Sequence, residues 1–202
     1  MLVILILAAW LTAAQEVELT APWLTVYDPE GQPRWEISLR RLVKTDEGWQ
    51  GEEVLVRLFR DGELQFSLTA LEISADRLGQ SWILTGEVRG EAEGLTFTCG
   101  RAIWEQGLRL EEVEAVGEEF SLVAEEARWD QGEEIVITGG VIRSRGWELE
   151  FSQGTYSLSS GLLAGGQVRL SGHGYEIEAQ GFTLLPREER LELRGARVVP
   201  RA

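Results

Sequence analysis

Leu84-Thr85-Gly86-Glu87-Val88 and Ile137-Thr138-Gly139-Gly140-Val141 bracket the stretch that decides the fold. Between them, short runs of alternating apolar and polar residues follow one another and then begin again. One unit passes through Leu95-Thr96-Phe97, Ala102, Trp104, Leu108 and Leu110, and the pattern restarts at Val113. The next carries Phe120, Leu122, Ala124, Ala127, Trp129, Ile135 and Ile137. After Val141 come Trp147, Leu149, Phe151, Tyr156 and Leu162; after Val168 come Tyr175, Ile177, Ala179, Phe182, Leu191 and Leu193. The unit starts Val88, Val113, Val141, Val168 and Val198 lie 25, 28, 27 and 30 residues apart, and the aromatics Trp104, Trp129, Tyr156 and Phe182 lie 25, 27 and 26 apart. Period-2 alternation inside a drifting repeat of this size marks stacked strand units, each too short to bury its own apolar face without a neighbour.

Upstream the same grammar holds. Trp23-Leu24-Thr25-Val26-Tyr27 is followed by Asp28-Pro29-Glu30-Gly31, a strong turn signal, and Trp35, Ile37 and Leu39 resume the alternation as the second arm of a hairpin. Asp46-Glu47-Gly48 turns the chain again. The run from Val54 to Phe59 then meets Asp61-Gly62, a hairpin turn, before Phe66, Leu68 and Ala70 return. No sustained 3.6-residue stripe follows the leader, and Leu71 to Leu78 has room for one helical turn at most. No linker divides residues 16–202, which are expected to form one domain.

Met1 to Ala14 is a continuous apolar run, too short for a comfortable span of about 20 residues but suited to the core of a signal peptide. Residues 1–15 are expected to be a cleaved export signal or a short retained anchor, with a buried first strand as the alternative. Cys99 is the sole cysteine, so no internal disulfide forms, and it shares a face with Leu95 and Phe97 as a small buried apolar residue. A net charge of −15 argues against nucleic acid, which needs a basic footprint. The acidity falls in pairs, Glu52-Glu53, Glu111-Glu112, Glu118-Glu119, Glu125-Glu126, Glu133-Glu134 and Glu188-Glu189, expected at turns and strand edges, where charge discourages pairing with other chains. Lys44 is the only lysine and asparagine is absent, compatible with a GC-rich or heat-adapted source.

These residues carry a family resemblance. Thr25-Val26-Tyr27-Asp28, Gly31 and Trp35, continued by Asp61-Gly62, Leu68, Ala70, Leu84-Thr85-Gly86 and Val88, resemble the front of LptC-type periplasmic proteins of lipopolysaccharide export. From Val88 onward the Gly-x-Val and Ala-x-Trp/Tyr recurrences are similar to the repeats of LptA and the OstA-like β-jellyroll. The resemblance implies an all-β jellyroll of two antiparallel sheets over residues 16–202, with residues 16–87 LptC-like and 88–202 OstA-like. It further implies a non-enzymatic carrier that passes lipopolysaccharide or a related glycolipid from the inner towards the outer membrane, with acyl chains between the sheets. The implied partners are other jellyrolls, joined by edge-to-edge strand pairing, and an inner-membrane ABC transporter.

For the lining of such a channel, the alternating strands offer Phe66, Leu68, Leu95, Phe97, Phe120, Leu122, Leu149, Phe151 and Ile177, while alternation leaves open which faces line a groove. Trp104, Trp129, Tyr156 and Phe182 are expected to be a packing ladder in the core. Arg143 and Arg145 are the one close basic pair in the repeats, read as a solvated strand edge before a headgroup contact. No catalytic set emerges and no cofactor is implied. His173, the only histidine, lies in a turn sequence, Asp130, Glu133 and Glu134 lack calcium-loop spacing, and scattered carboxylates make poor glycosidase evidence. The rival readings are a structural or adhesive β-solenoid of the cell envelope without lipid cargo, and a carbohydrate-active β-sandwich.

Overall fold

A computed structural model describes residues 18–92, 95–117, 120–185, 188 and 190–199. The expected leader therefore lies outside the described residues. Among those described, no helix is long and apolar enough to cross a membrane.

The chain is an all-β jellyroll in which, among the described residues, every pairing is antiparallel and successive rungs pair with each other. It is best described as a stack of rungs. Among the described residues, seven are single long strands: β3 (Pro33–Lys44), β4 (Gly48–Arg60), β5 (Glu63–Asp76), β10 (Leu108–Val116), β11 (Phe120–Trp129), β12 (Glu134–Ser144) and β13 (Trp147–Ser157). Six are broken near the middle: β1 (Glu18–Thr20) with β2 (Trp23–Tyr27), β6 (Trp82–Thr85) with β7 (Val88–Ala92), and β8 (Leu95–Cys99) with β9 (Arg101–Trp104). The remaining broken rungs are β14 (Leu163–Gly165) with β15 (Val168–Gly172), β16 (Tyr175–Ala179) with β17 (Gly181–Leu185), and β18 (Arg190–Arg194) with β19 (Arg197–Val199). Thus β5 extends through the stretch Leu71 to Asp76, and the helical turn allowed there does not form.

Each rung bends at one point, and the bends line up into a crease that divides the sheet into two facing leaves. Register shows the crease directly. Leu39 pairs with Val54 and Arg41 with Glu52, skipping one residue on each strand; the same gap separates Val113–Ala124 from Glu111–Glu126, and Ala124–Gly140 from Glu126–Thr138. At the crease the pleat slips phase. The inward residues flanking it are three apart rather than two: Ala70 and Ile73, Cys99 and Ala102, Leu110 and Val113, Ala124 and Ala127, Ala179 and Phe182. Two consecutive residues therefore face outward on the convex side, which lets both leaves keep their apolar rows inside.

That geometry corrects the reading of the glutamate pairs. Glu52-Glu53, Glu111-Glu112 and Glu125-Glu126 occupy the two outward crease positions in mid-rung, neither turn nor edge. Glu53, Glu87 and Glu112 adopt left-handed backbone (φ 50°, 51° and 56°), as does Ala21 (φ 50°). Gly86, Gly139 and Gly195 take the same left-handed backbone at other creases, so the bend uses glycine on some rungs and non-glycine residues, at some steric cost, on others. Glu133 stands in a turn as expected, whereas Glu118-Glu119 and Glu189 lie outside the described residues.

The core is the space between the leaves. Three rows of the first leaf can be traced by register. Beside the crease run Leu39, Val54, Ala70, then Val88, Cys99, Val113, Ala124, Gly140, Phe151, Val168 and Ala179. Val88, Val113 and Val168 are equivalent here; Val141 faces outward, its place taken by Gly140, and Val198 is one row further from the crease. Gly140 is required because its Cβ would sit 2.0 Å from the Phe151 ring; Gly90 under Phe97 is the same device, with a 2.2 Å clash. On the second leaf Trp104, Trp129 and Tyr156 share one row on every second rung, so the 25- and 27-residue spacings measure one hairpin. Phe182 is one row nearer the crease, paired with Gly165. Trp104, Trp129 and Phe182 are buried, as a packing ladder requires.

Candidate functional site

The nine candidate lining residues all fall on the inner face of one leaf, the leaf formed by β2, β7, β8, β15, β16, β19 and the adjoining halves of the long strands. Phe66 lies in its outer row, Leu68, Phe97, Leu122, Leu149 and Ile177 in the middle row, and Phe151 beside the crease. Leu95 and Phe120 continue the outer row. Five of them, Phe66, Leu68, Phe97, Leu149 and Phe151, are buried in a packed interior. Leu95, Phe120, Leu122 and Ile177 are half-buried. The sequence reading gathered residues of one face but gave no measure of how tightly that face is covered.

Coverage varies along the stack. In the middle row, Leu149 is 0% exposed, Leu170 and Ile177 are half-buried, and Val198 on the last described rung is 65% exposed. At the opposite end the same row runs from Leu68 through Val56 and Ile37, all buried, to Leu24, which is 47% exposed. The inner apolar surface therefore emerges to solvent at both described ends, where β2 and β19 each have one strand edge unpaired among the described residues. The first rung and its turn carry Glu18, Asp28 and Glu30; the last carries Arg190, Arg194 and Arg197 beside Glu192.

Polar contacts pin the tips of the leaves to each other. Arg34 Nε donates to Gln131 Oε1 at 2.7 Å, and the Arg34 guanidinium stands 5.7 Å from the Trp104 ring. Arg60 Nη1 donates to the Gly132 carbonyl at 2.8 Å and pairs with Glu133 at 2.9 Å. Hydrogen bonds from Ser159, with Arg60 behind them, hold the Glu133 carboxyl below the usual carboxylate range. Inside, Phe66 packs on Trp129 at 4.9 Å and Phe151 on Phe182 at 5.2 Å, each a ring from one leaf against a ring from the other.

The remaining candidates find local employment. Arg143 pairs with Glu148 across a hairpin at 2.6 Å, and Asp130 with Arg128 at 2.8 Å. His173 takes a positive φ in the turn before Gly174, with its ring against Gly146. Burial, and secondarily Glu111, push the Cys99 thiol up to about 12, so it stays protonated in the interior. Among the described residues no group of three potential metal ligands converges.

Sequence reasoning missed a second feature. Trp49, Ala75, Trp82 and Trp104 are successive cross-strand neighbours in one row on β4, β5, β6 and β9. They line a solvent-open hollow of about 250 Å³ at the tips of the second leaf. Trp82 and Trp104 are stacked, with ring centroids 5.8 Å apart and planes 8° from parallel. The visible signal was three tryptophans; their adjacency exists only through register.

The fold and its interior define an all-β jellyroll with an apolar core that is closed in the middle and exposed at its ends. No family model matches the sequence, and no curated protein matches it. Among solved structures it is similar to LptH from Pseudomonas aeruginosa, described as the LptA-homologous periplasmic component of the lipopolysaccharide transport device. That likeness has 10% identity and a TM-score of 0.27, covering 68% of this chain and 95% of the other. The strand register of this chain, not that superposition, defines its architecture.

Proposed function

We propose that the protein is a non-enzymatic periplasmic lipid-transfer bridge, carrying lipopolysaccharide or a related glycolipid with acyl chains between the leaves. The observation that carries this reading is the pair of burial gradients. One apolar row runs from a packed middle to exposed Leu24 at one end and exposed Val198 at the other. An acyl chain needs only such apolar surface, worth roughly 25 cal/mol per Å² removed from water. Half-buried Phe120, Leu122, Leu170 and Ile177 favour an entry on the later rungs. Open edges of unlike charge suit strand pairing with other jellyrolls of the export system, and one end would meet an inner-membrane ABC transporter. Residues 16–202 act as the unit, exported by the apolar leader or held by it.

A second reading is favoured by a specific observation: Leu68, Leu84, Ala102, Ile142, Leu149 and Phe182 are fully buried, as in a structural stack that holds no cargo. Photo-crosslinking in the native envelope separates the two. A photoreactive residue at Leu122 or Ile177 is expected to capture glycolipid, and one at outward Val123 is expected to capture none. If the folded protein yields no adduct at either inner position, the structural reading replaces the carrier.

A further inference from the structure

The outward face of the leaf that begins with β2 changes character along the stack. On β2 to β5 its outward positions carry Trp23, Tyr27, Leu55, Phe59 and Leu64, interspersed with serine and threonine. Trp23, Tyr27 and Leu64 are 59%, 58% and 52% exposed. Two contacts hold Trp23 on this side: its Nε1 donates to Thr25 Oγ1 at 2.9 Å, and the Arg57 guanidinium stands 5.8 Å from its ring. Phe59 and Leu64 are cross-strand partners, so both side chains leave the same face. Beyond β5 the outward positions of this leaf carry, among the described residues, nothing apolar larger than valine. Charge takes over there, with Glu91, Glu114, Glu148, Glu150 and Glu178 facing outward.

Charge on the early face cancels. Glu36 and Arg57, outward on neighbouring strands, pair with each other at 3.7 Å, while Arg34 and Arg60 are drawn to the opposite leaf. Asp28, Glu30, Asp61 and Glu63 stand at the turns that fringe it. An apolar patch rimmed by polar residues marks an interaction surface. Its make-up selects the partner. Tryptophan and tyrosine, each with an apolar body and a polar tip, suit the boundary between hydrocarbon and water. A face without net charge suits a zwitterionic lipid surface, whereas the fringing carboxylates and a chain charge of −15 oppose an anionic one. The place in the chain agrees: the apolar run ends at Ala14, four residues before Glu18. Four residues span at most about 14 Å, so a leader held at a membrane brings the first rungs, not the last, to its surface.

We propose that the outward face of β2 to β5 on this leaf docks on a zwitterionic phospholipid surface, with Trp23, Tyr27 and Leu64 at the level of the headgroups. The docking surface is a sheet face, distinct from the strand edges and from the interior. It does not depend on whether acyl chains enter between the leaves. The acidic outward face of the later rungs stays in water, which orients the stack away from the bilayer.

The test is fluorescence of the full chain carrying an environment-sensitive nitrobenzoxadiazole label at Tyr27→Cys or at Leu64→Cys. Val123→Cys, outward on the same leaf but beyond the face, is the control, and Cys99 is buried away from the reagent. The apolar leader can hold the chain on a vesicle by itself, so the readout is taken position by position on vesicles of phosphatidylcholine. The labels replacing Tyr27 and Leu64 are expected to brighten at least twofold, shift to shorter wavelength and be quenched by a lipid with a nitroxide on its headgroup. The label replacing Val123 should keep its aqueous spectrum. Trp23→Glu, with folding verified by circular dichroism, should reduce the brightening of the Tyr27→Cys label at least twofold. Adding phosphatidylglycerol at low salt should weaken the response. The assignment is overturned if the chain does not float with the vesicles, or if it floats while both face labels remain aqueous or brighten no more than the control. Brightening that appears without vesicles and grows with protein concentration also overturns it, giving the face to a second copy of the chain. A response that strengthens with phosphatidylglycerol would refute the choice of a zwitterionic surface.

Discussion

The middle of the stack and its ends are built from the same rows with the same kinds of residue, yet they differ in what they do. Leu149 and Val198 stand three strands apart in one inward row, one fully buried and the other 65% exposed. Neither sequence position nor side-chain type explains the difference; the presence of a covering rung does. In a sheet whose rungs touch mainly their neighbours, an inward residue becomes core only where both strand neighbours and the opposite leaf are in place. At the described ends the inward row is therefore uncovered core.

The largest expected effect tests that contrast. Leu149→Ala should cost about 2–5 kcal/mol and Val198→Ala within about 0.5 kcal/mol, measured by denaturant unfolding of the two variants in parallel. Similar losses for both would mean that the end rung is covered in solution. Next, Gly140→Ala should lose about 1–3 kcal/mol, because the new methyl meets the Phe151 ring at 2.0 Å. Combining it with Phe151→Leu should recover part of that loss, and strict additivity in the double-mutant cycle would show that the ring is not the obstacle. At the crease the sign reverses: Glu112→Gly, at φ 56°, should stabilise by up to about 1 kcal/mol in the same assay.

The smallest effect concerns the tips. Glu133 has a folded-state carboxyl held below its ordinary range, chiefly by hydrogen bonds from Ser159. Its stabilising contribution is thus complete above the ordinary carboxylate range and is lost as pH falls through the lowered folded value. Carbon-detected NMR titration should place the Glu133 midpoint below the ordinary carboxylate range, and Ser159→Pro, which removes the donating amide, should raise it. A Glu133 midpoint that Ser159→Pro leaves unmoved would show that the tip contact is not formed in solution.

The fold class and the inner faces were legible because alternation is a local signal. Phe66, Leu95, Phe120 and Ile177 were assigned to inward sets from single strands, and register then placed them on one leaf. The crease was legible in principle: Cys99 and Ala102, or Ala124 and Ala127, break period 2 by one residue at regular intervals. It was hidden because the bend uses glutamates such as Glu53 and Glu112, whose doubling resembles an ordinary solvated turn. The degree of burial at Leu149 against Ile177, and the gap at Ala75 between Trp49 and Trp82, were not legible. Both depend on what stands across or beside a strand, which no single run of residues records.

The strict sequence of hairpins has a consequence for how such a chain changes length over evolutionary time. Because turns alternate from one leaf's rim to the other's, deleting one rung would reverse the direction of everything after it and deliver each later turn to the wrong rim. Deleting or duplicating a two-rung hairpin preserves direction, rim and inward phase together. Length is therefore quantised in hairpins, as the 25- and 27-residue steps between Trp104, Trp129 and Tyr156 already record. Each such step also shifts which rung of one leaf faces which rung of the other, so the ties from Arg34 to Gln131 and from Arg60 to Glu133 set the alignment that a gain or loss of length must renegotiate.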